Sequence, residues 1–470
     1  MKNFDFGIVG LGVMGRNLLL NMADHSFSVA GLDLDPEKAA SLENEADEKH
    51  IVKGTTDAKE FVQLIEKPRA IMLLVPAGKP VDSVIDSLLP HLEDGDIVVD
   101  GGNSYFEDTN RRVKELADKG IHFFGMGISG GEKGARFGPS MMPGGNESAY
   151  ERLRPIFEAV AAKVDGEPCV TYLGRGSAGN YVKMVHNGIE YAIMQLLAET
   201  YDLLKRGYNF TDDEVQKVFE AWNKTELQSY LVEITAAILK KEDNITGERL
   251  VSLISDTAKA KGTGKWTSQS AMDIQAPVPS IDLAVTMRDI SKYKEERIKA
   301  SEIYSWNGNP EDISKENLVA QFKDAFYFAM VTIYAQGMAQ LTIASNEFDY
   351  GLNLDEVAKI WRGGCIIRAA VLEDFRKAYK ADASLPNLLL DKGISDKVNP
   401  HQKAMRETVK RGIDKGIPMS VFSATLSYFD AYKSEVLPTN LIQAQRDYFG
   451  AHKYERIDKE GIFHTEWDEK

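Results

Sequence analysis

The chain has 470 residues, a length that predicts two or three domains rather than one hydrophobic core. It carries 56 Lys and Arg against 71 Asp and Glu, a net charge of −15 that argues against a nucleic-acid or anionic-membrane binder. The two cysteines, Cys169 and Cys365, fit neither a metal-ligand spacing nor a disulfide framework. No apolar run approaches the ~18 residues of a membrane span, and the first residues do not resemble a signal peptide, so we expect a cytoplasmic protein.

Short apolar runs alternate with amphipathic helical patterns in the first part of the chain. Such alternation is typical of a parallel sheet with helices on both faces. The predicted strands are Phe4–Val9, Phe27–Leu32, Ala70–Val75, Asp96–Asp100, Ile121–Met126 and Cys169–Leu173, and the helices between them include Arg16–Ala23, Pro36–Glu45 and Val81–Leu89.

A Gly- and Ser-rich stretch, Gly174–Asn180, ends this alternation, and the residues beyond it show the three- and four-residue apolar spacing of helices. We therefore predict an α/β domain over residues 1–177, an all-helical domain over 178–433 and a C-terminal tail over 434–470. The tail carries Phe463 and Trp467, and large aromatics favour docking on another surface, such as a second subunit.

The first predicted strand leads into a helix through Gly10-Leu11-Gly12-Val13-Met14-Gly15, a GxGxxG motif. The first glycine permits a tight turn, the second lets a pyrophosphate approach the backbone, and the third allows close helix–sheet packing. Amides at the start of the helix favour phosphate oxygens. A glycine-rich turn without a ligand is the alternative, but the strand–helix context favours a dinucleotide site.

Asp33 closes the second predicted strand, where an acid can bind both ribose hydroxyls of an adenosine and would repel a 2′-phosphate. The residues that follow, Leu34 and Asp35, bring no positive charge. This pattern favours NAD over NADP, the alternative being an ordinary solvated aspartate in a turn.

Two glycine-rich stretches follow predicted strands: Val98–Thr109, which contains Asn103, and Gly125–Gly145, which contains Ser129. Both should lie at the carboxyl edge of the sheet, where ligands of such folds bind, with accessible backbone amides. Two flexible surface loops are the alternative.

One predicted helix places Lys183, His186, Asn187, Glu190 and Tyr191 on one side, at about 100° per residue. The wet face of an amphipathic helix is the plain interpretation. The mixture nevertheless supplies a base, an acid and polar anchors, and desolvation could lower the pKa of a lysine enough for it to act as a base.

Seven stretches of the sequence resemble the decarboxylating 6-phosphogluconate dehydrogenases, in conserved order and over essentially the whole chain. The stretches are GLGVMGRNLLLNMADH, DGGNSYFEDT, ISGGEKGARFGPSMMPGG, KMVHNGIEY, KGTGKWT, IWRGGCIIRA and NLIQAQRDYFGAH. The resemblance implies an α/β Rossmann-type N-terminal domain, a large all-α domain and a C-terminal tail that reaches into the partner of a homodimer.

The resemblance implies oxidative decarboxylation of 6-phosphogluconate to ribulose 5-phosphate and CO2, with a nicotinamide cofactor and no metal. Lys183 matches the general base that takes the proton of the 3-hydroxyl, and Glu190 matches the acid that protonates the carbon left by CO2. The residues that match the rest of the substrate site are Asn103, Ser129, Gly130, Gly131, His186 and Asn187 for the sugar acid, Tyr191, Lys261, Arg288 and Arg446 for the phosphate, and Thr263 and His452 as further contacts. Arg446 and His452 would come from the other subunit.

Two departures from the family pattern concern the cofactor. NADP-dependent members carry Asn-Arg-Thr where this chain has Asp33-Leu34-Asp35, and Val-Lys-Ala where it has Val75-Pro76-Ala77. Both remove partners for a 2′-phosphate, so we expect NAD to be preferred over NADP. The expected cofactor residues are Gly10, Leu11, Gly12, Val13, Met14, Gly15, Asp33, Val75, Pro76, Ala77 and Asn103.

Two other functions compete with this one. A β-hydroxyacid dehydrogenase acting on a smaller, unphosphorylated acid would not need Lys261, Arg288 and Arg446 together. A catalytically silent dinucleotide sensor would keep the glycines but would not need Lys183 and Glu190.

Overall fold

A computed structural model describes residues 4–306, 308, 311 and 313–467, and its N-terminal part is built on a seven-stranded sheet. The strand order is β3-β2-β1-β4-β5-β6-β7, in which β1 to β6 are parallel and β7 runs antiparallel to β6. The strands are β1 Phe6–Val9, β2 Val29–Leu32, β3 Val52–Thr55, β4 Ala70–Leu73, β5 Ile97–Asp100, β6 His122–Ser129 and β7 Ser140–Gly144.

Helices cover both faces of this sheet. Successive strand residues point to opposite faces, so Ile8 packs with Phe157 in one buried cluster while Val9 packs with Phe61 in another. The predicted α/β architecture is therefore confirmed. The helices are α1 Val13–Asp24, α2 Pro36–Glu45, α3 Ala58–Leu64, α4 Lys79–Leu88, α5 Phe106–Ala117, α6 Gly131–Phe137 and α7 Glu147–Val160.

The predicted strand Cys169–Leu173 is wrong. This segment follows a short hairpin, β8 Lys163–Val164 and β9 Glu167–Pro168, and makes only an isolated bridge from Val170 to Met141 among the described residues. The place beside β6 is taken by β7, which was not predicted. The segment instead runs irregularly along β7.

From residue 178 to residue 433 the described part of the chain contains helices and no strand, as predicted, and one more helix, α21, lies in the tail. A π-helical turn, Leu203–Gly207, continues the first helix, and 3-10 turns occur at Leu89–His91, Leu388–Leu390 and Asn399–His401. The helices are α8 Ala178–Asp202, α9 Asp212–Trp222, α10 Tyr230–Lys240, α11 Leu250–Leu253, α12 Thr263–Asp273, α13 Pro279–Ser291, α14 Lys294–Ile303, α15 Lys315–Glu347, α16 Leu354–Trp361, α17 Leu372–Ala381, α18 Lys392–Val398, α19 Gln402–Asp414, α20 Ser420–Tyr432 and α21 Thr439–Gly450. The tail ends in a hairpin of β10 Tyr454–Glu455 and β11 Ile462–Phe463. No helix in the described ranges is long and apolar enough to cross a membrane.

Glycines let α8 lie directly on the end of the sheet. A Cβ added at Gly127 of β6 would come within 2.2 Å of the Lys183 Cβ, and one added at Gly144 of β7 within 2.3 Å of the Gly179 amide nitrogen. The alternative of a flexible surface loop over Gly125–Gly145 is wrong for most of its length, because β6, α6 and β7 occupy it. These glycines permit close helix–sheet contact, and this contact positions the predicted catalytic helix.

Candidate active site

The turn from β1 to α1 has the geometry of a phosphate-binding turn. Gly10 has φ +94°, and an added Cβ would lie 2.6 Å from the Leu74 carbonyl oxygen; at Gly15 it would lie 1.8 Å from the Gly10 oxygen. An added Cβ at Gly12 would meet nothing within 4 Å, so the backbone is open to a ligand there. No side chain caps the start of α1, which leaves its first amides available for an anion.

This turn lines a cavity of about 500 Å³. Asp33 lies on its wall and accepts hydrogen bonds from the Leu11 amide at 2.7 Å and the Asp35 amide at 2.9 Å. The carboxylate is thus held at the end of β2, where an adenosine ribose would lie. The cavity lining, the open turn and the fixed acid fit a dinucleotide.

Lys38 of α2 also lines the cavity, and the sequence prediction missed it. Its Nζ lies 4.0 Å from Asp33 Oδ1 and 3.6 Å from Asp35 Oδ2. The prediction considered only the residues directly after the strand. The helical spacing of three residues from Asp35, which caps α2, was the signal that would have found it.

The predicted cofactor residues do not all line the cavity. Val75 and Pro76 do, together with Gly10 and Gly12, whereas Ala77 is exposed and outside the lining. The Leu11 side chain is buried in the sheet core, so only its backbone faces this region. Val13 is exposed, Met14 is half-buried in the packing of α1, and Asn103 is exposed on the β5–α5 loop.

The side of α8 that carries the predicted catalytic residues is buried, not wet. Lys183 is 6% exposed, and His186, Asn187 and Tyr191 are also buried, while Glu190 is half-buried. The helix lies against β6 and β7 on one side and against α12 and α15 on others. The alternative of a solvated helix face is therefore wrong.

Lys183 and Glu190 have opposite electrostatic perturbations. Burial lowers the pKa of Lys183, and the nearby Glu190 carboxylate partly offsets this. Burial raises the pKa of Glu190, against the effect of the Lys183 and Arg288 charges. Both shifts favour the neutral forms, an amine that can accept a proton and a carboxylic acid that can donate one.

A chain of polar contacts connects four of the predicted substrate residues. Ser129 Oγ lies 3.3 Å from His186 Nε2, His186 Nδ1 lies 3.0 Å from Asn187 Oδ1, and Asn187 Nδ2 donates to Thr263 Oγ1 at 3.1 Å. Because Asn187 Oδ1 can only accept, His186 Nδ1 carries the proton and Nε2 accepts from Ser129. Burial lowers the pKa of His186 well below its usual value, which is consistent with a neutral ring.

The turn after Ser129 brings in a segment that the sequence prediction did not assign to the site. Gly130 and Gly131 have φ of +112° and +61°, and an added Cβ at Gly130 would lie 2.6 Å from the Gly364 oxygen. The Ile366 amide donates to Ser129 Oγ at 3.4 Å. Gly364 and Ile366 belong to the stretch IWRGGCIIRA, and only its resemblance to the family pointed to them.

A cation lies beside this group of residues. The Arg288 guanidinium carbon is 3.3 Å from the centroid of the Tyr191 ring. In the described part of the chain its hydrogen-bond partners are only the Lys259 carbonyl and the Met194 sulfur, each at 3.5 Å. Lys261 is exposed just before α12. Arg288 therefore has hydrogen-bonding capacity left for an anion.

Arg446 and His452 are not brought to α8 within one chain. Both are exposed, and they contact only other tail residues among those described: Arg446 donates to Gln443, and the His452 ring packs on Phe449.

No group of three or more His, Cys, Asp or Glu side chains among the described residues could hold a metal ion.

Two family models match nearly the whole chain. The model for the NAD binding domain of 6-phosphogluconate dehydrogenase matches residues 5–174, and the model for the 6-phosphogluconate dehydrogenase C-terminal domain matches residues 179–467. The chain belongs to the 6-phosphogluconate dehydrogenase family. Membership of this family of oxidoreductases confirms the resemblance seen in the sequence.

Individual relatives agree over their full length. A Bacillus subtilis protein named as an NADP(+)-dependent, decarboxylating 6-phosphogluconate dehydrogenase is 52% identical, covering 99% of this chain and 100% of its own length. The decarboxylating enzyme of Escherichia coli is 48% identical with the same coverage. The solved structure of Plasmodium falciparum 6-phosphogluconate dehydrogenase, described with NADP+ and with 6-phosphogluconate, has a TM-score of 0.95 and 43% identity, covering 98% of this chain and all of that one.

Proposed function

We propose that this chain oxidises and decarboxylates 6-phosphogluconate to ribulose 5-phosphate and CO2, with NAD preferred over NADP. The observation that carries the proposal is the pairing of buried Lys183 with half-buried Glu190 on α8, beside the Ser129–His186–Asn187–Thr263 contacts. The similarity to proteins named as decarboxylating 6-phosphogluconate dehydrogenases supports both the substrate and the loss of CO2.

Lys183 acts as the general base in this proposal. Its lowered pKa makes the neutral amine available to take the proton of the 3-hydroxyl. NAD, held by the glycine-rich turn and Asp33, would supply the acceptor for the hydride that leaves the carbon bearing this hydroxyl. The resulting Lys183 ammonium polarises the 3-keto oxygen, which stabilises the enol formed as CO2 leaves and removes the need for a metal.

Glu190 acts as the acid that completes the reaction. Its raised pKa keeps the carboxyl protonated to a higher pH than an exposed glutamate, so a proton is available for the carbon that has lost CO2. Glu190 is two helical turns along α8 from Lys183, on the same side of the helix. Base and acid can therefore serve different atoms of one bound sugar acid.

The substrate phosphate is assigned to Tyr191, Lys261, Arg288 and Arg446. His452 is assigned as a further substrate contact, and it comes with Arg446 from the second subunit of a homodimer. The forked Arg288 guanidinium suits a phosphate, because it can bind two oxygens at once. Asn103, Ser129, Gly130 and Gly131 are assigned to the sugar acid. We also propose that the α/β domain ends at residue 177 and the helical domain at residue 433.

NAD preference depends on Asp33. Its carboxylate, held by the Leu11 and Asp35 amides, can accept hydrogen bonds from the ribose and repels a 2′-phosphate. Lys38 beside it partly neutralises this charge. The proposal is therefore a preference for NAD and not exclusion of NADP.

Incubation with 6-phosphogluconate and either NAD or NADP tests the proposal. Reduced nicotinamide and CO2 should form in equal amounts, with a higher kcat/KM for NAD. Gluconate, which lacks the phosphate, is the matched control and should react far more slowly. Reduction without CO2, or equal use of gluconate, would contradict the assigned reaction, and a clear NADP preference would contradict the role of Asp33.

A further inference from the structure

Arg112 of α5 has no part in the proposed chemistry, yet it is 1% exposed. A buried guanidinium needs acceptors for its donors and partners for its charge. Nε donates to Asp82 Oδ1 at 2.8 Å, and Nη2 donates to the Gly78 carbonyl at 3.1 Å. Nη1 lies 3.6 Å from Asp100 Oδ2 and 3.5 Å from Ser104 Oγ.

Gly78, Asp100 and Ser104 belong to or flank two loops that border the proposed site, and Asp82 lies in the first turn of α4, directly after one of them. Gly78 ends the β4–α4 loop, which contains the cavity residues Leu74, Val75 and Pro76. Asp100 organises the β5–α5 loop, because it accepts from the Ser104 hydroxyl at 2.6 Å and from the Gly102 amide at 3.0 Å. Asn103 lies between these two donors.

The two loops also touch each other directly. A Cβ added at Gly102 would lie 3.2 Å from the Val75 carbonyl oxygen. The separation of the loops is therefore set by a narrow contact on one side and by the Arg112 hydrogen bonds on the other. A rigid, planar guanidinium holds such a geometry better than a flexible ammonium.

We infer that Arg112 is a positioning residue that fixes the cofactor loop relative to the loop of Asn103, and so aligns cofactor and sugar acid. The inference rests on the proposed function, which assigns Val75 to the cofactor and Asn103 to the substrate. Hydride transfer demands close alignment of the reacting atoms, and a displacement of ~1 Å can cost about 100-fold in rate.

The variants Arg112→Met and Arg112→Lys test this role, with Arg111→Met as the matched control. Arg111 is the adjacent residue and binds the same Asp82 carboxylate at 2.9 Å, but it is exposed and its other partner is Glu115 of its own helix. We expect Arg112→Met to lower kcat about tenfold or more and to raise the KM for NAD. Arg112→Lys should recover part of kcat, and Arg111→Met should behave as wild type.

Measuring kcat and KM alongside Tm separates a positioning role of Arg112 from a purely structural one. If Arg112 only stabilises the fold, its variants will show a lower Tm but wild-type kcat and KM at temperatures where they are folded, and the inference is then wrong. If Arg112→Met does not fold, Ser104→Ala replaces it as a test, because it removes one hydroxyl from the same loop. Wild-type kinetics in both Ser104→Ala and Arg112→Lys would overturn the inference. Failure of the wild-type chain to turn over 6-phosphogluconate would refute the proposed function instead. In that case, weaker NAD binding by the Arg112 variants would still show that Arg112 holds the cofactor loop in place.

Discussion

Single residues decide the chemistry through their burial. Lys183 and Glu190 would have ordinary pKa values on an open helix, but packing against the sheet and the neighbouring helices favours the neutral form of each. The sequence supplied both residue types and their spacing. Their pKa shifts arise from neighbours far away in the chain.

Substitution of Lys183 tests the base directly. Lys183→Met should lower kcat by about 10² to 10⁴-fold, the usual contribution of a general base, while NAD binding remains. Lys183→Arg separates the two properties of the lysine, because arginine keeps the charge but does not release its proton at any working pH. Substantial turnover by the arginine variant, measured by reduced nicotinamide, would show that Lys183 is not the base.

Asp33 and Lys38 should act in opposite directions on cofactor choice. Asp33→Asn removes the charge that repels a 2′-phosphate and should raise kcat/KM for NADP about tenfold relative to NAD, since each ~1.4 kcal/mol is tenfold. Lys38→Met should lower kcat/KM for NADP and leave NAD nearly unchanged.

The control for these variants is Lys49→Met, an exposed lysine that pairs with Asp47 at 3.3 Å and does not line the cavity. Both cofactors should be used by this variant as by wild type. An unchanged NADP-to-NAD ratio in Asp33→Asn would mean that the wall of the cavity elsewhere sets the preference.

Among the secondary-structure elements, α8 and α20 are joined by a buried carboxyl group. Glu199 of α8 is 2% exposed and accepts hydrogen bonds from the Val421 amide at 2.9 Å and the Phe422 amide at 3.1 Å, at the start of α20. No side chain caps that helix from its own N-cap position. Glu199 therefore acts as a cap supplied by another helix.

This cap predicts a pH dependence of stability. Burial raises the pKa of Glu199 from 4.5 to about 7, so the folded state binds its proton more tightly than the unfolded state. The associated stability is fully present below pH ~4.5 and is lost as the pH rises through about 7, with a total of roughly 3 kcal/mol. Glu199→Gln should remove this part of the dependence, as chemical denaturation at pH 5 and pH 8 can measure. An identical slope in wild type and variant would contradict the assignment.

Most elements could be predicted from local patterns, and the failures have physical causes. β3 is an edge strand with Lys53 at its centre and only one buried residue, so it lacks the apolar run of a central strand. β7 is hidden in a Gly- and Pro-rich stretch, because its glycine faces α8 at a distance that no larger residue permits. Helical periodicity predicted α8, but its nearly complete burial depends on β6, α12 and α15, which no local pattern contains.

For the whole molecule, the tail combines an internal fold with an exposed apolar surface. Asp447 is fully buried inside it and accepts hydrogen bonds from the Lys453 amide, the His464 ring and the Trp467 indole, so the tail has its own folded core. Large apolar side chains of the same segment are nevertheless exposed, among them Leu441, Ile442 and Phe449. An ordered segment with an exposed apolar surface is typical of a protein interface.

If the tail completes the site of a second subunit, two inactive variants should restore each other. Lys183→Met and Arg446→Met would each be impaired as homodimers. In a mixed dimer with donation between subunits, the site with an intact Lys183 receives the intact Arg446 of the Lys183→Met chain, while the other site carries both substitutions. One site of each mixed dimer is then wild type, and mixing by co-expression should raise kcat/KM well above either homodimer.

Donation within one chain gives the opposite result. Each site of the mixed dimer would then keep one of the two substitutions, and its activity would be the average of the two homodimers. Differently tagged chains allow the mixed species to be purified, and Arg456→Met is the matched control, because Arg456 is an exposed tail arginine that pairs with Asp458 of its own hairpin turn. In the mixed dimer of Arg456→Met with Lys183→Met, one of the two sites should be active under either arrangement. Only the mixed dimer of Arg446→Met with Lys183→Met therefore distinguishes an active site shared between subunits from one built by a single chain.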